Sequence, residues 1–503
     1  MIAFGFDDLK KILVGLFIYL VIGPIVGTIC AYGGRWSQRL LIFLMILVPS
    51  ALMDTTSIMA VSIEEYRGHT KGFLISLMDV LAIASIVASM LAPGKNDFRF
   101  LPIGTIPYLL FCSLASISIL AATEPLLSAM ASWKFFKLTL YLVAGYNFVR
   151  NKGDMRTVFW AIAISLIVQF FAVLKVRYMD GVHQSPGLFD HQNSMSMWAY
   201  FVGLPLLAVG LSEKSNWLES FTFLGAFGMV VVMVVCSLSR AALAVTLGAG
   251  GIILFLFLLR RITWKRSMIV LVGALGSLAI MAVAADTIVS RFSEKLGNDD
   301  SLGLRQVLNE MSAKMLDDSA IGVGWNNFNV VNSRPNPRYS PVLENWHQSM
   351  GKFWPERLYE NNPNTECLYW MYLAETGYPG FVGLIIVMFY MLYLTWRNFI
   401  WLRKDDTLES AFLLGLGVTL VVIYMHSYLE RILTQTPNLS VFLLFFGVVS
   451  RFESVRRGQE GSKFLDFLAR FFNALNSAST RVQGAKEPLP SQRVPGTENR
   501  SLR

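Results

Sequence analysis

The chain has 503 residues, of which 54% are hydrophobic and only 15% charged, with a mean hydropathy of +0.50. A soluble domain carries about 25% charged residues, so the composition excludes a soluble globular protein and describes a polytopic membrane protein. The net charge of +9 follows from Lys and Arg in short loops and in the tail, as topology and anionic lipid require, and gives no ground for a nucleic-acid partner.

A helix needs about 20 apolar residues to cross a bilayer. Runs of that kind lie near 12–31, 40–61, 73–92, 102–122, 127–148, 157–174, 193–212, 218–237, 241–259, 267–285, 367–395, 409–427 and 436–450. The expected fold is therefore all-α, a polytopic membrane helix bundle of about 12–13 spans with one large, partly helical external loop. Residues 1–285 hold about ten spans, 286–366 the loop, 367–451 the C-terminal spans, and 452–503 a cytoplasmic tail. The first run lacks a small-residue cleavage site and reads as an uncleaved span. The run 127–148 is the weakest, interrupted by Lys134 and Lys137. Cys30, Cys112, Cys236 and Cys367 all fall in or at apolar runs without metal-ligand spacing, which describes free buried thiols.

Short-loop charge sets the orientation. One alternate set of loops holds Arg35, Arg39, Lys95, Arg99, Arg150, Lys152, Arg156, Lys214, Arg260, Arg261, Lys265, Arg266, Arg397, Arg403 and Lys404. The opposite set holds only Arg67, Lys71, Lys134, Lys137, Lys175, Arg177, Arg240 and Arg431. The first set belongs in the cytoplasm and the loop 286–366 outside. Lys10 and Lys11, before the first run, disagree with this count.

Residues 221–259 carry a single charge, Arg240. As one helix they would extend about 58 Å, against a hydrocarbon core of about 30 Å, so the segment folds back at Ser237-Leu238-Ser239-Arg240. That hinge puts Arg240 on the outer face.

The loop 286–366 holds eight Lys/Arg, eleven Asp/Glu and eight aromatics, too much for a plain connector. Within it, Ser301–Asp318 reads as an amphipathic helix with Leu304, Leu308, Met311 and Met315 on one face and Arg305 at its border. A turn follows at Gly322-Val323-Gly324-Trp325-Asn326-Asn327-Phe328. The next span carries Glu375 and breaks at Gly377-Tyr378-Pro379-Gly380. In the tail, Phe464, Leu465, Phe467, Leu468, Phe471 and Phe472 form the apolar face of a helix lying on the membrane surface, ahead of a polar end that reads as disordered.

There is no nucleotide-binding glycine loop, zinc-ligand spacing or nucleophile elbow, so neither a cofactor nor a metal is expected. Arg240 is either a snorkelling hairpin-tip arginine or a clamp for phosphate. Arg305 reads as a solvated helix residue by chemistry alone. His191 and His347 titrate near neutral pH and are either bases or polar surface. Glu366 precedes a span, and Glu375 lies inside it and needs a partner. The loop aromatics either stack on sugars or form the loop's own core.

The run Ser237-Leu238-Ser239-Arg240-Ala241-Ala242-Leu243 resembles the signature that opens the conserved region of the O-antigen ligase and polymerase superfamily. Arg305, Ile321–Phe328, Thr365-Glu366-Cys367-Leu368 and Ala374–Gly380 follow in that family's order, and Gly187–Asn193 resembles its motif before the seventh span. The resemblance implies a metal-independent membrane glycosyltransferase of the bacterial inner membrane, with its catalytic loop in the periplasm. It implies a glycan on undecaprenyl diphosphate as donor, and lipid A-core or a second lipid-linked glycan as acceptor. Arg240 and Arg305 match the arginines that grip the diphosphate. The family's ligases carry a histidine where this chain has Glu366, so Glu366 or His347 is the expected base, and the acceptor is that of a ligase or of an exopolysaccharide polymerase. His191, Asn193, Trp325, Asn364 and Glu375 are the further residues expected to line the substrate space. The alternative is a lipid-linked sugar flippase, a class marked by polar residues spread through many spans.

Overall fold

The computed structural model describes residues 6–51, 57–63, 66, 68–92, 98–269, 271, 273, 276, 300–332, 339, 341–342, 345, 364–404 and 406–458. Most of the run near 267–285, His347 and the tail beyond 458 lie outside the described residues.

The elements in chain order are α1 (Phe6–Phe17), continued through a π turn into α2 (Gly23–Tyr32), then α3 (Gly34–Ala51), β1 (Ser57–Ala60), β2 (Phe73–Ser76), α4 (Leu77–Leu91), α5 (Thr105–Ser116), α6 (Pro125–Phe148) and α7 (Lys152–Leu174). They continue with α8 (Gln192–Gly210), α9 (Trp217–Ser237), α10 (Arg240–Arg260), α11 (Asp300–Asp318), the single turn α12 (Phe328–Val331), α13 (Leu368–Leu402), α14 (Leu408–His426) and α15 (Thr436–Arg457). The protein is a polytopic helical membrane bundle. Among the described residues, eight helices are long and apolar enough to cross a membrane, and Leu77–Leu91 and Thr105–Ala121 are shorter apolar helices.

The expected fold-back falls at the hinge read from the sequence. α9 ends at Ser237, Leu238 takes a left-handed conformation with φ 57°, and α10 starts at Arg240. Caps fix several other starts. The Asn151 side chain accepts from Asp154 N at the head of α7, and Asn216 accepts from Glu219 N at the head of α9.

The arginine-rich loops meet at one end of the bundle. Arg35 and Arg39 both bind Asp154, Arg39 through Nε at 3.1 Å. Arg150 donates to Ser89 O at 2.9 Å, and Arg266 pairs with Asp406 at 3.2 Å. At the other end Asp8 accepts from Val61 N at 2.8 Å. The start of α1, with Lys10 and Lys11, thus stays with the outer set of loops.

The structure refines the sequence reading at several places. The end of the run 40–61 and the start of the run 73–92 are not helical: β1 and β2 pair antiparallel, Ser57 with Ser76 through Ala60 with Phe73. Three apolar residues and a serine on each side of a polar connection suit a strand pair better than an extra helical turn. α6 is, as expected, the least apolar of the eight candidate spans, yet it runs unbroken through Lys134 and Lys137 because it turns them inward. Lys134 Nζ donates to His69 O (3.0 Å) and Thr434 O (2.7 Å), while Lys137 Nζ binds Asp79 Oδ2 (2.8 Å) and Leu74 O (2.7 Å). The last helix runs to Arg457, past the boundary expected at 451. All four cysteines are free; Cys112, Cys236 and Cys367 are buried and Cys30 partly so.

The large loop is fastened by the break in α13. Gly377 is non-helical (φ 60°, ψ −164°), and Pro379 follows inside the helix. Pro379 has no N–H for Glu375 O, and Tyr378 N turns away from Ala374 O to donate to Ala320 O at 3.0 Å. The two stranded carbonyls are taken by the turn 322–328: Val323 N donates to Ala374 O at 2.9 Å and Gly324 N to Glu375 O at 3.0 Å. α11 then buries Leu308, Met311 and Met315 against Val323, Phe328, Val331 and Ala374, leaving Arg305 on its open border.

Only glycine suits position 377. A Cβ there would run into Ala320 O, in a conformation L side chains rarely adopt. Gly377→Ala is expected to destabilise the protein by about 1–3 kcal/mol from backbone strain alone, with the clash added. Thermal unfolding in detergent checks this, and an unchanged midpoint would contradict the fastening described here.

Candidate active site

Four outer segments converge on one cluster. His191 caps α8, its Nδ1 accepting from Asn193 N at 3.2 Å. Asn193 Nδ2 donates to Glu430 Oε1 at 2.9 Å. Glu430 lies in the short connection between α14 and α15, fixed where Leu429 N and Glu430 N both donate to His426 O, at 2.8 and 3.0 Å. From α11, Arg305 Nη2 reaches the same Glu430 oxygen at 3.0 Å and also pairs with Glu366. The stretch before α13 is docked in turn: Thr365 Oγ1 donates to Asn309 Oδ1 at 2.8 Å, and Leu368 N donates to Ser427 O at 2.9 Å. Asn364 is buried at the start of this stretch.

The cluster opens on one side. The Glu366 side chain is 41% exposed, Arg305 25% and Glu430 13%. Burial pushes the Glu430 carboxyl up to about 7, helped by the charge of Glu366 and opposed by Arg305, Arg431 and the Asn193 hydrogen bond. Burial also lowers His191, against the pull of Glu366. In the neutral His191 ring, Nδ1 accepts the Asn193 N–H, so Nε2 carries the proton.

Arg240 sits at the same end, half-buried at the head of α10. Its hairpin tip is tied to the first turn of α8 by Ser196 Oγ and Ser237 Oγ, 2.6 Å apart. Arg240, Arg305, Glu366, His191 and Asn193 therefore all occupy the outer end, and four of these five join directly or through one partner.

Besides the buried Asn364, two residues expected to line the substrate space are interior. Trp325 is fully buried, its ring packed on Phe135 (4.5 Å between centroids), Phe111 and Tyr372. The turn 322–328 inserts its aromatic into the bundle, so Trp325 anchors the loop. Glu375 is 2% exposed and its partner is His69, 2.7 Å away, while its carboxylate also accepts from Asn326 N (3.0 Å) and Phe328 N (3.2 Å). A carboxylate with that many donors is a structural strut.

Residues 224–385 match the protein family described as O-Antigen ligase. Over these residues, about a third of the chain, the sequence is similar to the O-antigen ligase family. No curated protein matches the chain. The matched region contains Arg240, Arg305, Trp325, Asn364, Glu366 and Glu375. Asn193 and Glu430 flank it in sequence and join it in space. Sequence reasoning missed Glu430 altogether and used Arg431 only to set orientation. The available signal was the adjacent charged pair Glu430-Arg431 in the short connection between two apolar runs. The His69 partner of Glu375 was missed as well.

Glu375→Ala would leave two backbone donors and His69 without their acceptor. Each stranded buried donor costs about 1–3 kcal/mol, so a lower unfolding midpoint is expected. Glu375→Gln should be milder, since its amide oxygen still accepts. Equal stability of the wild type and both variants would remove the strut.

Proposed function

We propose that this protein transfers a glycan from an undecaprenyl-diphosphate donor to a sugar hydroxyl at the periplasmic face of the inner membrane. The acceptor is lipid A-core, as for a ligase, or a second lipid-linked glycan, as for a polymerase. The observation that carries the reading is Arg305: a family-matched arginine on the open border of α11, held between Glu366 and Glu430 at the outer end of the bundle.

The chemistry fits that placement. The leaving group is a diphosphate, and its charge grows as the bond from the anomeric carbon to phosphate oxygen breaks. Guanidiniums bind phosphate oxygens bidentately and carry fixed positive charge, so they supply the countercharge without a metal. Arg305 and Arg240 are the assigned grip, with Arg431 close enough to affect Glu366 and Glu430 electrostatically. The attacking hydroxyl must lose a proton, which calls for a base beside the grip. Glu366 and His347 are the bases the sequence offers.

A lipid-linked sugar flippase is the second reading, and the Lys137–Asp79 pair buried inside the bundle is what favours it. Asp79 Oδ2 also accepts from Tyr19 Oη at 2.9 Å and from Ser76 N at 2.8 Å, which ties three neighbouring segments together and reads as framework.

The test is purified protein in liposomes with a lipid-diphosphate-linked donor. Arg240→Ala and Arg305→Ala, each verified as folded, are expected to lower glycan transfer by about 100- to 1,000-fold, as when a preorganised charge-stabilising donor is removed. Arg305→Lys should recover only part of the loss, because it keeps the charge without the fork. Robust transfer by both alanine variants would overturn the diphosphate grip. Donor crossing the bilayer without a new glycosidic bond would favour the flippase.

A further inference from the structure

The transfer reading needs a base, and the family histidine position holds Glu366. The geometry makes Glu366 a poor choice. It presents Oε2 to two nitrogens of the Arg305 guanidinium and faces water with 41% of its side chain exposed. His191 has its Nδ1 occupied by Asn193 N, which leaves Nε2 protonated in the neutral ring. His426 lies behind the cluster in the bundle, with Nδ1 2.9 Å from Tyr200 Oη.

Glu430 differs from all three. It is largely shielded from water, with 13% of its side chain exposed. Both hydrogen bonds that its carboxyl receives, from Arg305 and Asn193, fall on Oε1. Oε2 has no partner among the described residues. A carboxylate oriented through one oxygen, with the other open beside an arginine, is the arrangement a general base requires.

We infer that Glu430 is the catalytic general base of the proposed transfer, held in position by Arg305 and Asn193. This rests on the glycosyl-transfer reading. The acceptor hydroxyl oxygen forms its bond to the anomeric carbon of the donor. The bond from that carbon to the phosphate oxygen breaks, and the diphosphate leaves with the electron pair toward Arg305 and Arg240. The hydroxyl proton passes to Glu430 Oε2 and from there to water.

The groups facing Glu430 set its titration. They are Arg305 from α11, Glu366 from the stretch before α13, Asn193 and His191 from the head of α8, Arg431 beside it, and His426 at the end of α14. Burial and Glu366 outweigh the cations and bring its carboxyl near neutrality, at about 7. A base works in its deprotonated form, so the rate should rise as pH climbs through that value.

The experiment measures transfer by the full chain in liposomes across mildly acidic to mildly alkaline pH, for wild type, Glu430→Gln, Glu430→Ala and Glu366→Gln. Wild type should show an inflection near 7, and Glu366→Gln should keep an inflection. Glu430→Gln should lose about 100-fold or more in rate, and its residual rate should lack the inflection. Added formate should restore part of the Glu430→Ala rate, which a merely structural role would not allow. An inflection retained in Glu430→Gln, or a loss in Glu430→Ala that formate leaves untouched, would overturn the assignment. Formation of no glycosidic bond by wild type with either acceptor would instead overturn the transfer reading, and the assignment with it.

Discussion

The outer end of this protein depends on two backbone carbonyls that a broken helix cannot use. Gly377 and Pro379 free Ala374 O and Glu375 O inside an apolar bundle, where an unpaired carbonyl is costly. The turn 322–328 supplies their donors, and the Glu375 carboxylate then gathers Asn326 N, Phe328 N and His69. Trp325 sinks into the aromatic core beneath. The described part of the loop, residues 300–332, is in this way packed against the membrane helices, and α11 is held with it. Arg305 is the residue that gains from it.

That fixed arginine lies between two carboxylates, one exposed and one shielded. The asymmetry separates their roles. Glu366 neutralises Arg305 where water reaches both, so in the proposed transfer an incoming diphosphate competes for the guanidinium. Glu430, drier and held through one oxygen, is left near the boundary between charged and neutral. A cation that yields to an anion beside a carboxyl ready to take a proton is the pair of groups that glycosyl transfer from a diphosphate requires.

Much of the frame was legible in the sequence. The apolar runs located the helices, a single charge in 221–259 located the hinge at 237–240, and the spacing of Leu304, Leu308, Met311 and Met315 marked the buried face of α11. Gly377 and Pro379 announced the break in α13. Other features were not legible. The strands of four residues merge with the apolar runs beside them, so hydropathy lengthens the spans at their expense. Lys134 and Lys137 look like interruptions until the bundle supplies inward acceptors. Trp325 carries no mark of whether its ring faces a sugar or the core. Glu430 lies 125 positions from Arg305 and 237 from Asn193, and only packing brings them together.

The central claim is that this chain makes a glycosidic bond at the expense of a lipid diphosphate. Its most direct test is a product balance with the purified chain alone in liposomes, with lipid A-core and a lipid-linked glycan supplied as acceptors in separate reactions. The account predicts that one acceptor grows by the donor glycan while undecaprenyl diphosphate is released in equal amount. Donor that stays intact, or moves across the bilayer without any acceptor gaining a sugar, would contradict it.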